Sequence, residues 1–139
     1  MLRALDQRGL RADTDIIVVS DHGFSTIGDL HNTCVAGGPD FRAGVVVSLP
    51  SGNLDIAPTL LWLMNVSSPA PLDGRVLLEA LRGETASVGP VELGRREAEV
   101  NLSSGTWQQY LLFTELNGER YLEEGDGRWE ASAPVTKRQ

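Results

Sequence analysis

The spacing of apolar residues changes twice along the chain and divides it into stretches of different character. Leu2, Leu5 and Leu10 lie around a Gly9 stop, which predicts the end of a helix, and Ala12-Asp13-Thr14-Asp15 follows as a polar turn. Ile16 to Val19 is an unbroken apolar run, the pattern of a parallel strand buried on both faces, and it stops at Ser20-Asp21-His22-Gly23. Residues 34–39 read as a second short strand ended by Gly37-Gly38-Pro39, and Val45 to Val47 as an apolar edge or connector. After the break at Pro50-Ser51-Gly52-Asn53, Ile56, Leu60, Leu61, Leu63 and Met64 fall at helical spacing. Pro58 sits in the first turn of that helix, where its missing N–H costs little. Asp55 just ahead of it places a negative charge at the positive end of the helix dipole. The Asp73-Gly74 turn predicts a second short helix over residues 75–82, closed by Gly83.

Residues 84–90 are small and polar, and beyond them the period becomes two. Residues 91–93, 98–102, 107–116 and 120–122 read as strands, with Asn117-Gly118 as a tight hairpin turn. The expected organisation is therefore an α/β segment over residues 1–83 followed by an antiparallel, β-rich appendage over 84–139. Trp107, Tyr110, Phe113 and Tyr121 are expected to fill the core of the appendage. The acidic stretch 119–126 is expected to be a solvated hairpin face, and residues 131–139 to fray. A lone parallel strand needs neighbours, so the sheet is expected to begin upstream of this chain.

Composition narrows the choice of function. The chain has 139 residues, 41% of them hydrophobic, enough for one ordinary domain. A formal charge of -7 argues against a clamp on a nucleic-acid backbone, which needs a basic face to displace counterions. Cys34 is the only cysteine, which excludes an internal disulfide and a thiolate zinc site, and it reads as a small buried hydrophobe. No apolar run reaches the length of a membrane span.

The candidate chemistry lies in one window. Asp21 and His22 fall at the C-terminal end of a strand, where open α/β sheets place their sites. His31 is the only other histidine, inside Gly28-Asp29-Leu30-His31-Asn32. Carboxylate and imidazole suit zinc, manganese or iron, and a catalytic zinc needs about three protein ligands. Neighbouring residues on a strand point to opposite faces, so Asp21 and His22 can share an ion only if the strand has ended; otherwise they serve separate ions or roles. The plainer alternative is an Asp that caps the next turn beside a hydrogen-bonded histidine. Ser20, Asp21 and His22 cannot form a serine triad, because three consecutive residues do not converge in the required order.

Ser20-Asp21-His22-Gly23-Phe24 after an apolar strand, His31 in the following loop, and Asp55-Ile56-Ala57-Pro58-Thr59-Leu60-Leu61 opening a helix form an ordered series. Over about residues 13–83 this series resembles the C-terminal part of the alkaline phosphatase superfamily, and within it the type I phosphodiesterase/nucleotide pyrophosphatase branch. The resemblance implies an alkaline phosphatase-like sheet with flanking helices. The implied activity is metal-dependent hydrolysis of small phosphate esters or phosphodiesters, with two divalent ions, preferably Zn2+, and a Thr or Ser nucleophile. By resemblance, Asp21 and His22 match the pair that holds the metal beside the nucleophile, His31 matches the later histidine of the second metal, and Asp55 and Pro58 match the structural helix-opening motif.

The nucleophile and the remaining ligands come in that family from N-terminal segments with no counterpart here. The expectation is the C-terminal piece of a longer enzyme, from a truncated gene or an incomplete reading frame, inert by itself and missing its N-terminal half. Sulfatase-like members, hydrolysing sulfuric esters, usually place a lysine soon after the ligand loop, and the only lysine here is Lys137. The contrasting expectation is a non-catalytic remnant or interaction module, which an unpaired edge on the 16–19 strand would favour.

Overall fold

The computed structural model describes residues 1–23 and 30–132. The first helix, α1 (Leu2–Gln7), ends where Gly9 adopts φ 68°, a left-handed conformation that glycine takes without penalty. The apolar run forms β1 (Ile16–Val19), but its partner is β2 (Cys34–Gly37), and the pairing is antiparallel, with Ile16 opposite Gly37 and Val19 opposite Cys34. The expected parallel strand is thus corrected to one strand of a two-stranded antiparallel sheet. The antiparallel pairing means that the chain has reversed direction between Val19 and Cys34. Nor is the run buried on both faces, because Val18 and Val19 are 56% and 41% exposed. Cys34 is exposed as well, rather than the buried hydrophobe expected.

A 3-10 turn (Asn53–Asp55) leads into α2 (Ile56–Leu63), with Pro58 in its first turn as expected. The helix expected over 75–82 does not form. Only a 3-10 turn, Leu78–Ala80, appears there, and Leu81 makes an isolated antiparallel bridge with Phe41. The reason lies in where the backbone bonds go: Arg42 N–H donates to the Ala80 carbonyl at 2.9 Å and Arg82 N–H to the Asp40 carbonyl at 2.7 Å. Extended geometry also buries both Phe41 and Leu81, and each such side chain contributes about 1.5–3 kcal/mol.

The appendage is a three-stranded antiparallel sheet of β3 (Glu92–Leu102), β4 (Gly105–Leu116) and β5 (Glu119–Ala131), with β4 in the centre. The two short runs expected at 91–93 and 98–102 belong to one continuous strand. Asn117 and Gly118 both have positive φ, 53° and 90°, as the tight hairpin turn requires. Phe113, Leu116 and Tyr121 are buried near that turn, whereas Trp107 is exposed, so the aromatic series fills a core at one end only. The acidic stretch is not merely solvated. Glu119 accepts from Gly74 N–H, Glu123 from the Thr114 hydroxyl and Glu124 from the Tyr110 hydroxyl. The fraying expected at the C-terminus falls, from residue 133 on, outside the described residues.

The two parts meet at Asp55, which is fully buried. Its Oδ2 accepts Gly52 N–H at 2.9 Å, and its Oδ1 accepts Arg75 N–H at 2.8 Å and the Tyr121 hydroxyl at 3.1 Å. Beside it, buried Thr59 accepts Leu77 N–H at 3.1 Å. The Arg75 guanidinium meets both oxygens of Glu79, at 2.9 and 2.7 Å, and the Pro50 carbonyl at 2.9 Å. Burial pushes the Glu79 carboxyl up, but the hydrogen bonds and charge of Arg75 outweigh it and hold the group below the usual carboxylate range.

Two stability outcomes follow from this cluster. Asp55→Ala strands three donors, each costing about 1–3 kcal/mol when buried without a partner; urea unfolding should show a loss of several kcal/mol, with Asp55→Asn in between because it keeps one acceptor. The Tyr121 hydroxyl is pushed up to about 12, by burial first and then by the charge of Asp55. Since the unfolded phenol ionises near 10, its stabilising contribution is complete below that pH and is lost as pH rises toward 12. Stability measured across that window should fall in the wild type. In Tyr121→Phe it should start lower and lose much of that slope.

Candidate functional site

The β1–β2 pairing continues one step past Val19 through one backbone bond and one to a side chain. Ser20 N–H donates to the Thr33 carbonyl and Thr33 N–H to the Ser20 hydroxyl, both at 2.9 Å. Two asparagine amides then hold the carbonyls of the strand end. Asn53 Nδ2 donates to Ser20 O at 3.1 Å and Asp21 O at 2.9 Å, and Asn32 Nδ2 donates to Ser20 O at 3.3 Å and to Asn53 Oδ1 at 2.7 Å. The turn that opens α2 thus braces the backbone carrying Asp21 and His22. Gly23 is required where it stands, because a Cβ there would collide with the His31 carbonyl oxygen. That close passage packs the backbone of the 30–33 loop against the strand end.

Asp21 and His22 converge, because the strand has ended by this point. His22 N–H donates to Asp21 Oδ1 at 3.1 Å, and His22 Nε2 lies 3.6 Å from Asp21 Oδ2. His22 Nδ1 is 2.7 Å from the Gly23 carbonyl, which can only accept, so Nδ1 carries a hydrogen. Both side chains are largely exposed. His31 is directed elsewhere: its Nε2 lies 2.7 Å from Glu123 Oε2, while Leu30 N–H donates to the Glu123 carbonyl at 3.1 Å. Asp55 belongs to the buried cluster and not to this surface. Phe24, Gly28 and Asp29 of the quoted motifs lie outside the described residues.

The sequence reading named Asp21, His22 and His31 but missed Asn32, Asn53 and Glu123. Asn53 stands two residues before Asp55 in the quoted helix-opening segment, and its position there is the one signal that could have found it. Glu123 lay in an acidic stretch with nothing to single it out.

The donor set can be tested against a divalent ion. A carboxylate and an imidazole nitrogen face each other at the surface, and the other ring nitrogen is fixed by a backbone carbonyl, the usual outer-shell partner of a ligating histidine. That is a fit for two donors, one fewer than a catalytic zinc takes from protein. Among the described residues, no three His, Cys, Asp or Glu side chains come together to hold an ion. Asp21 pairs with His22 and His31 with Glu123, and the three sequence-derived candidates do not form one cluster.

Residues 1–49 match the type I phosphodiesterase / nucleotide pyrophosphatase family, a segment that contains Asp21, His22 and His31 and stops short of Asp55. The match agrees with the resemblance read from the motif series. No curated protein and no solved structure matches the chain. The architecture itself is a mixture of short helices and two antiparallel sheets.

Proposed function

We propose that this chain supplies one part of the two-metal centre of a phosphoester hydrolase acting on small phosphate esters or phosphodiesters. The observation that carries the reading is the family match over residues 1–49, within which Asp21 and His22 converge at a strand end. Asp21 and His22 would hold one ion and His31 the other, and the ions, preferably zinc, would activate a Ser or Thr nucleophile and neutralise the phosphoryl oxygens. The chain's own residues do the positioning. Gly23 O fixes the His22 ring, the amides of Asn32 and Asn53 fix the strand-end carbonyls, and Gly23 lets the His31 loop pass close by.

Two donors for one ion and one for the other are too few for tight binding, and no residue of this chain is assigned as nucleophile. The remaining groups would come from another segment, and the chain alone is inert. The absence of a lysine before Lys137 favours phosphate over sulfuric esters. The reading as a non-catalytic interaction module draws on the exposed Val18 and Val19 of a two-stranded sheet.

The chain has only two histidines, so two imidazoles report on metal binding without overlap. In a Zn2+ titration followed by long-range 1H–15N spectra, the His22 ring should shift at Nε2, and Asp21→Ala should weaken that response at least ten-fold. Rings that ignore Zn2+, or a response indifferent to Asp21, would sink the metal reading. Separately, bis(p-nitrophenyl) phosphate incubated with the purified chain and Zn2+ should show no turnover above that of Asp21→Ala. Turnover lost on that substitution would overturn the inertness.

A further inference from the structure

The strand register gives the β3–β4–β5 sheet two unlike faces. Phe113 pairs with Leu122 but Leu112 with Glu124, which leaves Glu123 as the extra residue of a β-bulge and fixes the rows on either side of it. One face carries Glu97, Glu99, Glu124 and Asp126. The other carries Val100, Leu102, Trp107, Leu111, Leu122 and Trp129, each between 39% and 56% exposed. Small residues let this face lie flat: a Cβ at Gly127 would collide with the Trp107 ring, one at Gly94 with Phe113 and one at Gly125 with Leu111. A sheet with one apolar face is completed by a second layer, and among the described residues nothing closes over this one.

We propose that this face docks on the same face of a second copy of the chain, so that two three-stranded sheets form one six-stranded sandwich. Three observations select that occupant. The chain carries a formal charge of -7, and the carboxylates of the opposite face repel another copy, whereas Arg96 is the one charged side chain between the Phe113 and Gly105 rows of the apolar face. Its place on edge strand β3 lets the guanidinium reach the rim. In size, six half-open side chains fall in the range of about 300–600 Å² that the largest patch on a monomer reaches. Two such patches with their polar rims approach the ~1,200 Å² at which specific interfaces begin, which sets a dimer of micromolar affinity.

The third observation is the order of large and small residues. A two-fold axis across the strands at the Ala98–Gln109–Gly127 row superposes each strand on its own copy, running in reverse. Trp129 then faces Gly125 of the second copy, Leu122 faces Ala131, Leu102 faces Gly94 and Phe113 faces Gly105, so bulk meets space in each pair. Trp107 meets Leu111 on both sides of the axis. Aligned sheets packed about 10 Å apart interdigitate in this way.

Sedimentation velocity on the full chain across the micromolar range tests the proposal. Wild type should pass from monomer to dimer, and Leu111→Glu and Trp107→Arg should each weaken dimerisation roughly 30-fold or more, the effect of losing a central interface residue. An equimolar mixture of the two variants should dimerise again, because the new carboxylate of one chain faces the new guanidinium of the other while the second Trp107–Leu111 contact stays intact. Val18→Glu, on β1, should leave dimerisation unchanged. If either variant loses its circular dichroism signature, Leu122→Glu should weaken the dimer in its place. A wild type that stays monomeric throughout overturns the proposal and leaves the face to a different occupant. A dimer broken by Val18→Glu but indifferent to substitutions on β4 and β5 also overturns it, as does a mixture of folded variants that fails to dimerise.

Discussion

A buried carboxylate with three donors on it constrains more of this molecule than any apolar contact does. Asp55 accepts one bond from its own turn, one from the Arg75 backbone and one from Tyr121 in the appendage. Each donor would carry a desolvation cost without it, so the segments can shift only by breaking a bond that water cannot replace inside the protein. Position then propagates by short steps along the chain. Two residues before Asp55, Asn53 is set where its amide holds the carbonyls of Ser20 and Asp21. Two residues after Tyr121, Glu123 is set where its carboxylate meets His31. One anchor therefore registers both grips on the candidate site, one from the α/β segment and one from the appendage.

The elements legible in the sequence were those decided by local chemistry. Gly9 ends α1 with a positive φ, Pro58 is tolerated in the first turn of α2, and Asn117-Gly118 gives a hairpin turn that other residue pairs adopt only at a cost. The misreadings of β1 and of residues 75–82 were decided by partners distant in sequence. An apolar run of four specifies a strand but not the direction of its neighbour, so β1 was read as parallel. Residues 75–82 have helical character, yet their backbone groups find better partners at Asp40 and Arg42, and Leu81 becomes extended. Cys34 was judged by residue type alone and lies exposed on β2.

The candidate site divides along the same line. Asp21 and His22 are adjacent in sequence, follow a strand, and converge because the strand stops, which is local information. The Glu123 contact with His31 spans 92 positions and depends on a one-residue register slip. No periodicity announces such a slip. Its consequence is that residues 84–139, readable beforehand only as an appendage, hold the loop that carries His31.

Two deficits coincide at the end of β1. The donors that converge there are one short of a catalytic zinc set, and the strand leading to them leaves Val18 and Val19 in solvent, as β2 leaves Val35. A free-standing interaction module accounts for the exposed valines but gives no reason for an imidazole held beside a carboxylate on a braced strand end. A hydrolase centre completed by another segment accounts for both, since the groups that finish the coordination would also bring apolar cover to the strands that carry it. Exposing those side chains costs about 25 cal/mol for each Å² of apolar surface, and a segment that completed the proposed site would relieve it.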